Sequence, residues 1–414
     1  MIPLAPSAGA APANAISKNL VICADGTGNS FDTNESNVVR LVKCLELGRV
    51  DEQLVFYDQG VGTRPSSARA ARAFKDASHR PGLTVLDEPT FGWWPATTIA
   101  RILGLGFGYG LKENIRQMYE ALAGAYVSDE RTPIFLFGFS RGAFTVRALA
   151  AFICRCGLLP RDRLAYFPAA YEAFFEERHR ERMMPDARRA FDARVARFRH
   201  DTGARDCGIR FLGIWDTVKS YGFIYPKSLP HLRHNPAVGT VRHAVALHER
   251  RSYYQLTSWG GVDHPLYEDK HPGDTTDVKE VWFAGSHSDV GGGFSPTRNG
   301  LARAPFEWMV RQAQGYGLRV SDAGLGGVLK EFGTELALNE SLRGGWWIAE
   351  LLPRFELENI PFPGQRVLKW GSTGARDPLS VTRGHRVSVH ATAASWHQTA
   401  DLPFISDGVT IERE

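Results

Sequence analysis

The pentapeptide Gly138-Phe139-Ser140-Arg141-Gly142 fits the pattern G-x-S-x-G. In that pattern a strand turns into a helix so sharply that the serine takes a strained backbone and its hydroxyl stands clear of the sheet. Small residues two positions to either side keep side chains from colliding in the turn. Such a hydroxyl suits nucleophilic attack on a carbonyl, and the Arg141 amide, at the start of the helix, suits the oxyanion that then develops. The pattern alone also arises by chance, with glycines that serve only a tight turn. Here the apolar run Ile134-Phe135-Leu136-Phe137 leads into it, and Phe144, Leu149, Phe152 and Ile153 follow on an apolar helix. This is the strand–turn–helix setting that the chemistry requires.

A serine hydroxyl becomes a good nucleophile when a histidine takes its proton and a carboxylate holds that histidine in the right tautomer. In the architecture that uses this turn, the acid and then the histidine follow the serine along the chain. Asp216 follows the apolar run Phe211-Leu212-Gly213-Ile214-Trp215, and His287 comes just after Val281-Trp282-Phe283-Ala284-Gly285. Of 13 histidines His287 is therefore favoured as the base, with His390 as its main rival and His248 and His264 behind. Asp216 is favoured as the orienting acid. Its rival is Asp289, two residues from His287, which could instead brace the glycine loop by accepting amides from Gly291 to Gly293.

A third polar segment, Asp25-Gly26-Thr27-Gly28-Asn29, ends the apolar run Leu20-Val21-Ile22-Cys23-Ala24. The amides of Gly26 or Thr27 are candidates for the second oxyanion donor, with Asp25 bracing the loop. A phosphate cradle is a poorer reading, because the P-loop lysine pattern is missing. A metal-dependent phosphatase is poorer still, because Cys23 stands where an acidic nucleophile beside Mg²⁺ would be needed. No metal and no cofactor is expected. Cys154-Arg155-Cys156 reads as buried packing.

The elements that must position these residues follow from the hydrophobic pattern. Leu20–Ala24, Leu54–Tyr57, Ile134–Gly138, Ile209–Trp215 and Val281–Gly285 read as five buried strands. Helices are predicted over Asn37–Leu47, Gly110–Val127 and Val238–Arg250, after Ser140 as far as Ile153, and through most of 157–208. Buried strands alternating with helices imply an α/β fold: a mostly parallel central sheet with helices on both faces and helical insertions. On such sheets ligands sit at the carboxyl ends of the strands, and all five strands end in loops carrying Asp, Ser or His. Residues 1–19 read as a flexible lead-in and 20–310 as the main domain, with insertions at 64–95, 157–208 and 219–278. Residues 311–414 read as a helical and irregular part packed on the same domain.

Composition excludes other classes. The chain has 414 residues, 43% hydrophobic and 23% charged, too apolar and too balanced for disorder. A net charge of +4 does not suggest a nucleic-acid partner. Five scattered cysteines suit a reducing compartment and no disulfide framework. No apolar run reaches the ~18–20 residues that span a bilayer, and no basic residue precedes Lys18, so no Sec signal is read and the chain is expected to be cytoplasmic as synthesised. The arginines between Arg178 and Arg199 read as a solvated helix face, with contact to anionic lipid or a partner as the lesser reading.

Five stretches in order resemble one family: Ala24-Asp25-Gly26-Thr27, Tyr57-Asp58-Gln59-Gly60-Val61-Gly62-Thr63, Phe137-Gly138-Phe139-Ser140-Arg141-Gly142-Ala143, Phe211-Leu212-Gly213-Ile214-Trp215-Asp216-Thr217-Val218, and Trp282 to Gly293. Together they are similar to the uncharacterised bacterial and fungal α/β-hydrolase domain family that includes the phospholipase effectors of type VI secretion. The resemblance runs from about residue 18 to 310, with weaker agreement near Val387 to His390. It implies an α/β-hydrolase-like fold and a serine hydrolase acting on lipid, phospholipid or other carboxylic esters through a Ser-Asp-His triad. It carries the serine onto Ser140 and the histidine onto His287, and it leaves the acid between Asp216 and Asp289. The family commonly has tryptophan where Gly28 stands, which bears on the acyl pocket. An ester or lipid substrate and a secretion or immunity partner are the partners this implies, with type VI-type delivery left open; the aromatic and basic insertions (Phe91, Trp93 and Trp94; Arg178 to Arg199) add a candidate peripheral membrane contact. A catalytically idle hydrolase fold acting as a binding module is the alternative from another class.

Overall fold

The computed structural model describes residues 17–26, 34–60, 79–86, 107–128, 131–177, 183–218, 232, 234–252, 254–259, 275–342, 354–358, 365–369, 376, 387–394 and 409–412. The chain runs β1 (Asn19–Ala24), α1 (Asn37–Cys44), β2 (Gln53–Asp58), β3 (Leu83–Val85), α2 (Phe107–Ala125), β4 (Ile134–Phe139), α3 (Arg141–Cys156), α4 (Phe167–Glu177), α5 (Pro185–Thr202), β5 (Ile209–Trp215), β6 (Thr240–Ala246) and β7 (Asp277–Phe283). It continues with α6 (His287–Gly291), α7 (Arg303–Gly315), α8 (Asp322–Leu329), β8 (Arg354–Glu358), β9 (Gln365–Lys369), β10 (Val387–His390), α9 (Ala391–Ala394) and β11 (Val409–Glu412).

Side chains alternate between two cores because the strands are buried on both faces. From β1, Leu20, Ile22 and Ala24 enter one cluster with α2, α3 and α4, while Val21 and Cys23 enter the other with α1, α7 and α8. β4 divides in the same way, Ile134 and Leu136 to the first and Phe135, Phe137 and Phe139 to the second. The first core is built around Phe152, whose ring meets Tyr119 at 4.9 Å, Phe167 at 5.3 Å and Phe174 at 5.6 Å. Truncating a ring so enclosed costs about 3–5 kcal/mol.

Nine strands among the described residues form one sheet in the order β11-β10-β7-β6-β5-β4-β1-β2-β3, and each neighbouring pair is parallel. From β1 the chain winds outward through β2 and β3, then returns to β4 and winds the other way. The carboxyl ends of β1 and β4 therefore flank the point where strand order reverses, and in open α/β sheets that crevice is where ligands bind. β8 and β9 form a separate antiparallel pair.

The parallel α/β architecture is as expected, but the sheet is wider than five strands. Val238–Arg250, read as a helix, contains the fully buried strand β6. Val238, Val241, Ala244, Val245 and Leu247 mimic helical spacing because a strand covered on both faces has no polar side to alternate with. Its buried arginine and histidine both find partners: Arg242 with Gln312 and the half-exposed Asp277, His243 with Glu280. The segment 219–278 thus holds a central strand. β3 lies within 64–95, and β10 and β11, four residues each, extend the sheet from the C-terminal part.

The described part of the arginine run lies in α5, where Arg189 pairs with Asp186, Arg194 with Glu176 and Arg199 with Asp206 on the exposed side. Phe91, Trp93, Trp94 and residues 1–16 lie outside the described residues. Among the described residues no helix is long and apolar enough to cross a membrane.

Candidate active site

The turn from β4 into α3 sits at the strand-order reversal, and it is tight because two glycines let it be. A Cβ on Gly138 would lie 2.7 Å from the Ala143 backbone, and one on Gly142 would lie 2.1 Å from the Ala24 carbonyl oxygen. The bend is thereby pressed against the end of β1. Ser140 takes φ 57° and ψ −118°, a conformation that non-glycine residues rarely adopt. Its N–H donates to the Trp215 carbonyl at 3.1 Å, and its hydroxyl is not spent on capping α3. The helix that follows is 16 residues long, so its N-terminal amides, Arg141 foremost, present a favourable dipole to negative charge.

Asp216, at the end of the neighbouring strand β5, is fully buried and also has positive φ, 40°. Its backbone is held by the Asp216 N–H to the Ala244 carbonyl at 2.8 Å and by the Thr217 N–H to His243 Nε2 at 3.2 Å. His243 is in turn fixed by Glu280, 2.7 Å from its Nδ1. Every oxygen of the Asp216 carboxylate is occupied. Oδ1 accepts from the Ala246 N–H at 2.9 Å and Arg376 Nη1 at 2.5 Å, while Oδ2 accepts from Arg376 Nη2 at 3.1 Å. His287 Nδ1 lies 2.5 Å from the same Oδ2. Burial alone would raise the Asp216 pKa, but Arg376 and His287 together outweigh it and hold the carboxyl well below the usual carboxylate range. An ionised carboxylate only accepts, so His287 Nδ1 is the donor and Nε2 is left as the basic nitrogen.

His287 opens α6, and two aromatic rings flank its imidazole. The Phe139 ring, one residue before Ser140, lies 4.6 Å away, and Tyr254 meets it edge-on at 4.7 Å. A Cβ on Gly291 would fall 1.9 Å from the Phe139 ring, so that glycine makes room for the stack. The His287 N–H donates to Glu249 Oε2 at 3.2 Å. Glu249 is buried and paired with Arg251 at 2.7 Å; burial pushes its carboxyl up, but Arg251 brings it down to about 2. Burial lowers the His287 pKa from its ordinary value, although Asp216 pulls the other way. The balance favours the neutral ring.

The rival residues have partners of their own. Asp289 accepts from the Ser286 N–H and hydroxyl, both at 2.9 Å, and from Asn339 N at 3.2 Å and Nδ2 at 2.5 Å. It caps α6 through Ser286 and ties in Asn339, so its brace differs from the expected bonds to Gly291–Gly293. His390 stacks on Phe283 at 4.6 Å, with its Nδ1 2.8 Å from the Thr392 hydroxyl. His248 accepts from the Gly285 N–H at 3.0 Å, and burial lowers it to about 4. His264 lies outside the described residues.

Asp25 accepts from the Ser36 hydroxyl at 2.6 Å and the Tyr57 hydroxyl at 3.1 Å, bracing β1 against β2 and α1. It also takes the Gly26 N–H at 2.6 Å, so that amide is already spent; Thr27 lies outside the described residues. Asp25, Asp216 and Asp289 are held by three different sets of protein donors. Among the described residues no group of three or more His, Cys, Asp and Glu could hold a metal ion. Sequence reasoning missed Glu249, Arg251 and Arg376. Glu249 and Arg251 form a local pair with no motif around it, and Arg376 meets Asp216 only in the folded chain.

The family model described as "T6SS, Phospholipase effector Tle1-like, catalytic domain" matches residues 18–312. The chain is 29% identical over 241 residues to the uncharacterized protein YEL023C of Saccharomyces cerevisiae, covering 58% of this chain and 32% of that protein. Among solved structures it is similar to an uncharacterized protein from Pseudomonas aeruginosa, at 19% identity and a TM-score of 0.41, over 77% of this chain and 49% of that one. It is also similar to a Tle1 effector bound to the VgrG spike of the type 6 secretion system, at 18% identity and a TM-score of 0.34, over 70% and 53% of the two chains. The chain spans about a third to a half of the length of these relatives.

Proposed function

Since the chain belongs to the family of Tle1-like phospholipase effector catalytic domains, we propose that it is a serine hydrolase of lipid carboxylic esters, phospholipids foremost, worked by Ser140, His287 and Asp216. The observation that carries the reading is the 2.5 Å contact of His287 Nδ1 with Asp216 Oδ2, at the sheet edge where the Ser140 turn stands.

In the proposed reaction His287 Nε2 takes the Ser140 proton as Oγ attacks the acyl carbonyl. The oxyanion forms over the start of α3, where the Arg141 amide donates to it. The strand-one loop, through the amide of Gly26 or Thr27, is the proposed source of the second donor; in the structure the Gly26 N–H donates to Asp25. His287 then protonates the leaving alcohol, and water, deprotonated by the same ring, releases the acid. Asp216 remains ionised throughout and stabilises the imidazolium.

The phospholipid substrate and a secretion partner, of the kind that the Tle1 effector has in VgrG, rest on the family rather than on the site. The test is hydrolysis of phospholipid vesicles and of a short-chain p-nitrophenyl ester by the full chain and by Ser140→Ala. Loss of both activities in the variant supports the reading, and retained turnover refutes it. Ester turnover without any vesicle turnover removes the phospholipid part and leaves the ester hydrolase.

A further inference from the structure

Arg376 reaches the site from outside residues 18–312, the stretch that the family model matches. Its side chain is only 5% exposed. Nη1 donates to Asp216 Oδ1 at 2.5 Å and to the Ala246 carbonyl at 3.0 Å, while Nη2 donates to Asp216 Oδ2 at 3.1 Å and to the Tyr254 carbonyl at 2.7 Å. The two carbonyls anchor the fork from β6 and from the segment that also supplies the ring on the edge of His287. The two remaining bonds engage the carboxylate across both oxygens, which fixes its plane as a single lysine charge would not.

The charges around this point balance. Asp216 pairs with Arg376 and Glu249 with Arg251, and His287 touches both carboxylates, Asp216 through Nδ1 and Glu249 through its backbone N–H; His243 touches the same strand end through the Thr217 amide. A guanidinium poised to receive a substrate phosphate would be turned outward. This one is turned inward, onto a carboxylate and two carbonyls.

We propose that Arg376 is the positioning residue of the acid–base pair, a clamp delivered by the C-terminal part of the chain that fixes the Asp216 carboxylate against His287. The proposal rests on the Ser140–His287–Asp216 reading above. Its consequence is that the stretch common to the family is completed by a residue outside it.

The test uses the full chain with Arg376→Met and Arg376→Lys, assayed on a soluble p-nitrophenyl ester across pH, with and without millimolar guanidinium chloride. Arg376→Met is expected to lower kcat/KM about 10²-fold, the scale of a small misplacement of a catalytic group, mostly through kcat since no substrate is touched. Arg376→Lys is expected to lose less. The acid limb of the profile moves to higher pH, because removing a cation beside the pair favours the imidazolium. Free guanidinium restores part of the rate, which it would not do for a chain that had merely lost its fold. Adding Arg376→Met to Asp216→Asn costs little more than Asp216→Asn alone. Wild-type rates in Arg376→Met, or a loss that is additive in the double variant and unmoved by guanidinium, overturn the proposal. If Ser140→Ala retains turnover, the triad reading itself has failed; if it is dead while Arg376→Met is fully active, only the clamp has.

Discussion

Asp216→Asn preserves shape and removes one charge, and the surrounding donors decide the outcome. Three groups donate to the carboxylate: His287 Nδ1, the Ala246 N–H and the Arg376 fork. An asparagine has one acceptor oxygen to share among them. Arg376 and the Ala246 amide will claim it, so the NH₂ group turns toward His287 Nδ1. That nitrogen must then accept, which moves its proton to Nε2, the atom that should take the proton from Ser140. The wrong tautomer is expected to lower kcat on the order of 10⁴-fold, the loss seen when a triad acid is replaced in this way, or about 5 kcal/mol of transition-state stabilisation. Stability should fall as well. Arg376 and Asp216 side chains are 5% and 0% exposed, so solvent screens the stranded cation little. Removing one partner of such a buried pair costs about 3–5 kcal/mol. The assay is kcat on a p-nitrophenyl ester, alongside urea unfolding to show that the fraction assayed is folded. A folded variant whose kcat stays within about one order of magnitude of wild type would refute the reasoning.

Burial lowers the His287 pKa, so the neutral base persists to more acid pH than an exposed imidazole would; kcat/KM should be flat through neutrality and fall only below pH ~6.5, and a limb centred at or above that value in the pH–rate profile contradicts this. Gly142→Ala forces a Cβ to 2.1 Å from the Ala24 carbonyl oxygen and 2.6 Å from that of Asp25; thermal melts should show a loss of about 1–3 kcal/mol or more, with ester turnover falling because the elbow is displaced. Asp289→Asn weakens the brace between Ser286 and Asn339 and should cost about 1–3 kcal/mol in urea unfolding, with kcat nearly unchanged; a kcat loss as large as that of Asp216→Asn would transfer the acid role to Asp289.

The parts legible in sequence were those decided locally. Gly138, Ser140 and Gly142 announce a bend because only glycines tolerate contacts as close as those to Ala143 and Ala24. Asp216 and His287 were marked by the strands that end just before them. β6 was not legible, since its polar residues Arg242 and His243 find Gln312, Asp277 and Glu280 only after folding, and its apolar residues fit helical spacing as well. β10 and β11 are too short for any periodicity to show. What separates Asp216 from Asp289 is their side-chain partners, which spacing does not reveal: one reaches His287 and the other Asn339. Arg376 meets Asp216 across 160 residues of chain, a pairing that no spacing rule could suggest.

The most direct measurement is mass-spectrometric mapping of the adduct left by a fluorophosphonate, a reagent that phosphonylates serines activated by a neighbouring base. The adduct should sit on Ser140 of the wild-type chain, form far more slowly in His287→Asn and be absent from Ser140→Ala. An adduct on another residue, or labelling of Ser140 at the same rate when His287 is replaced, would contradict the account.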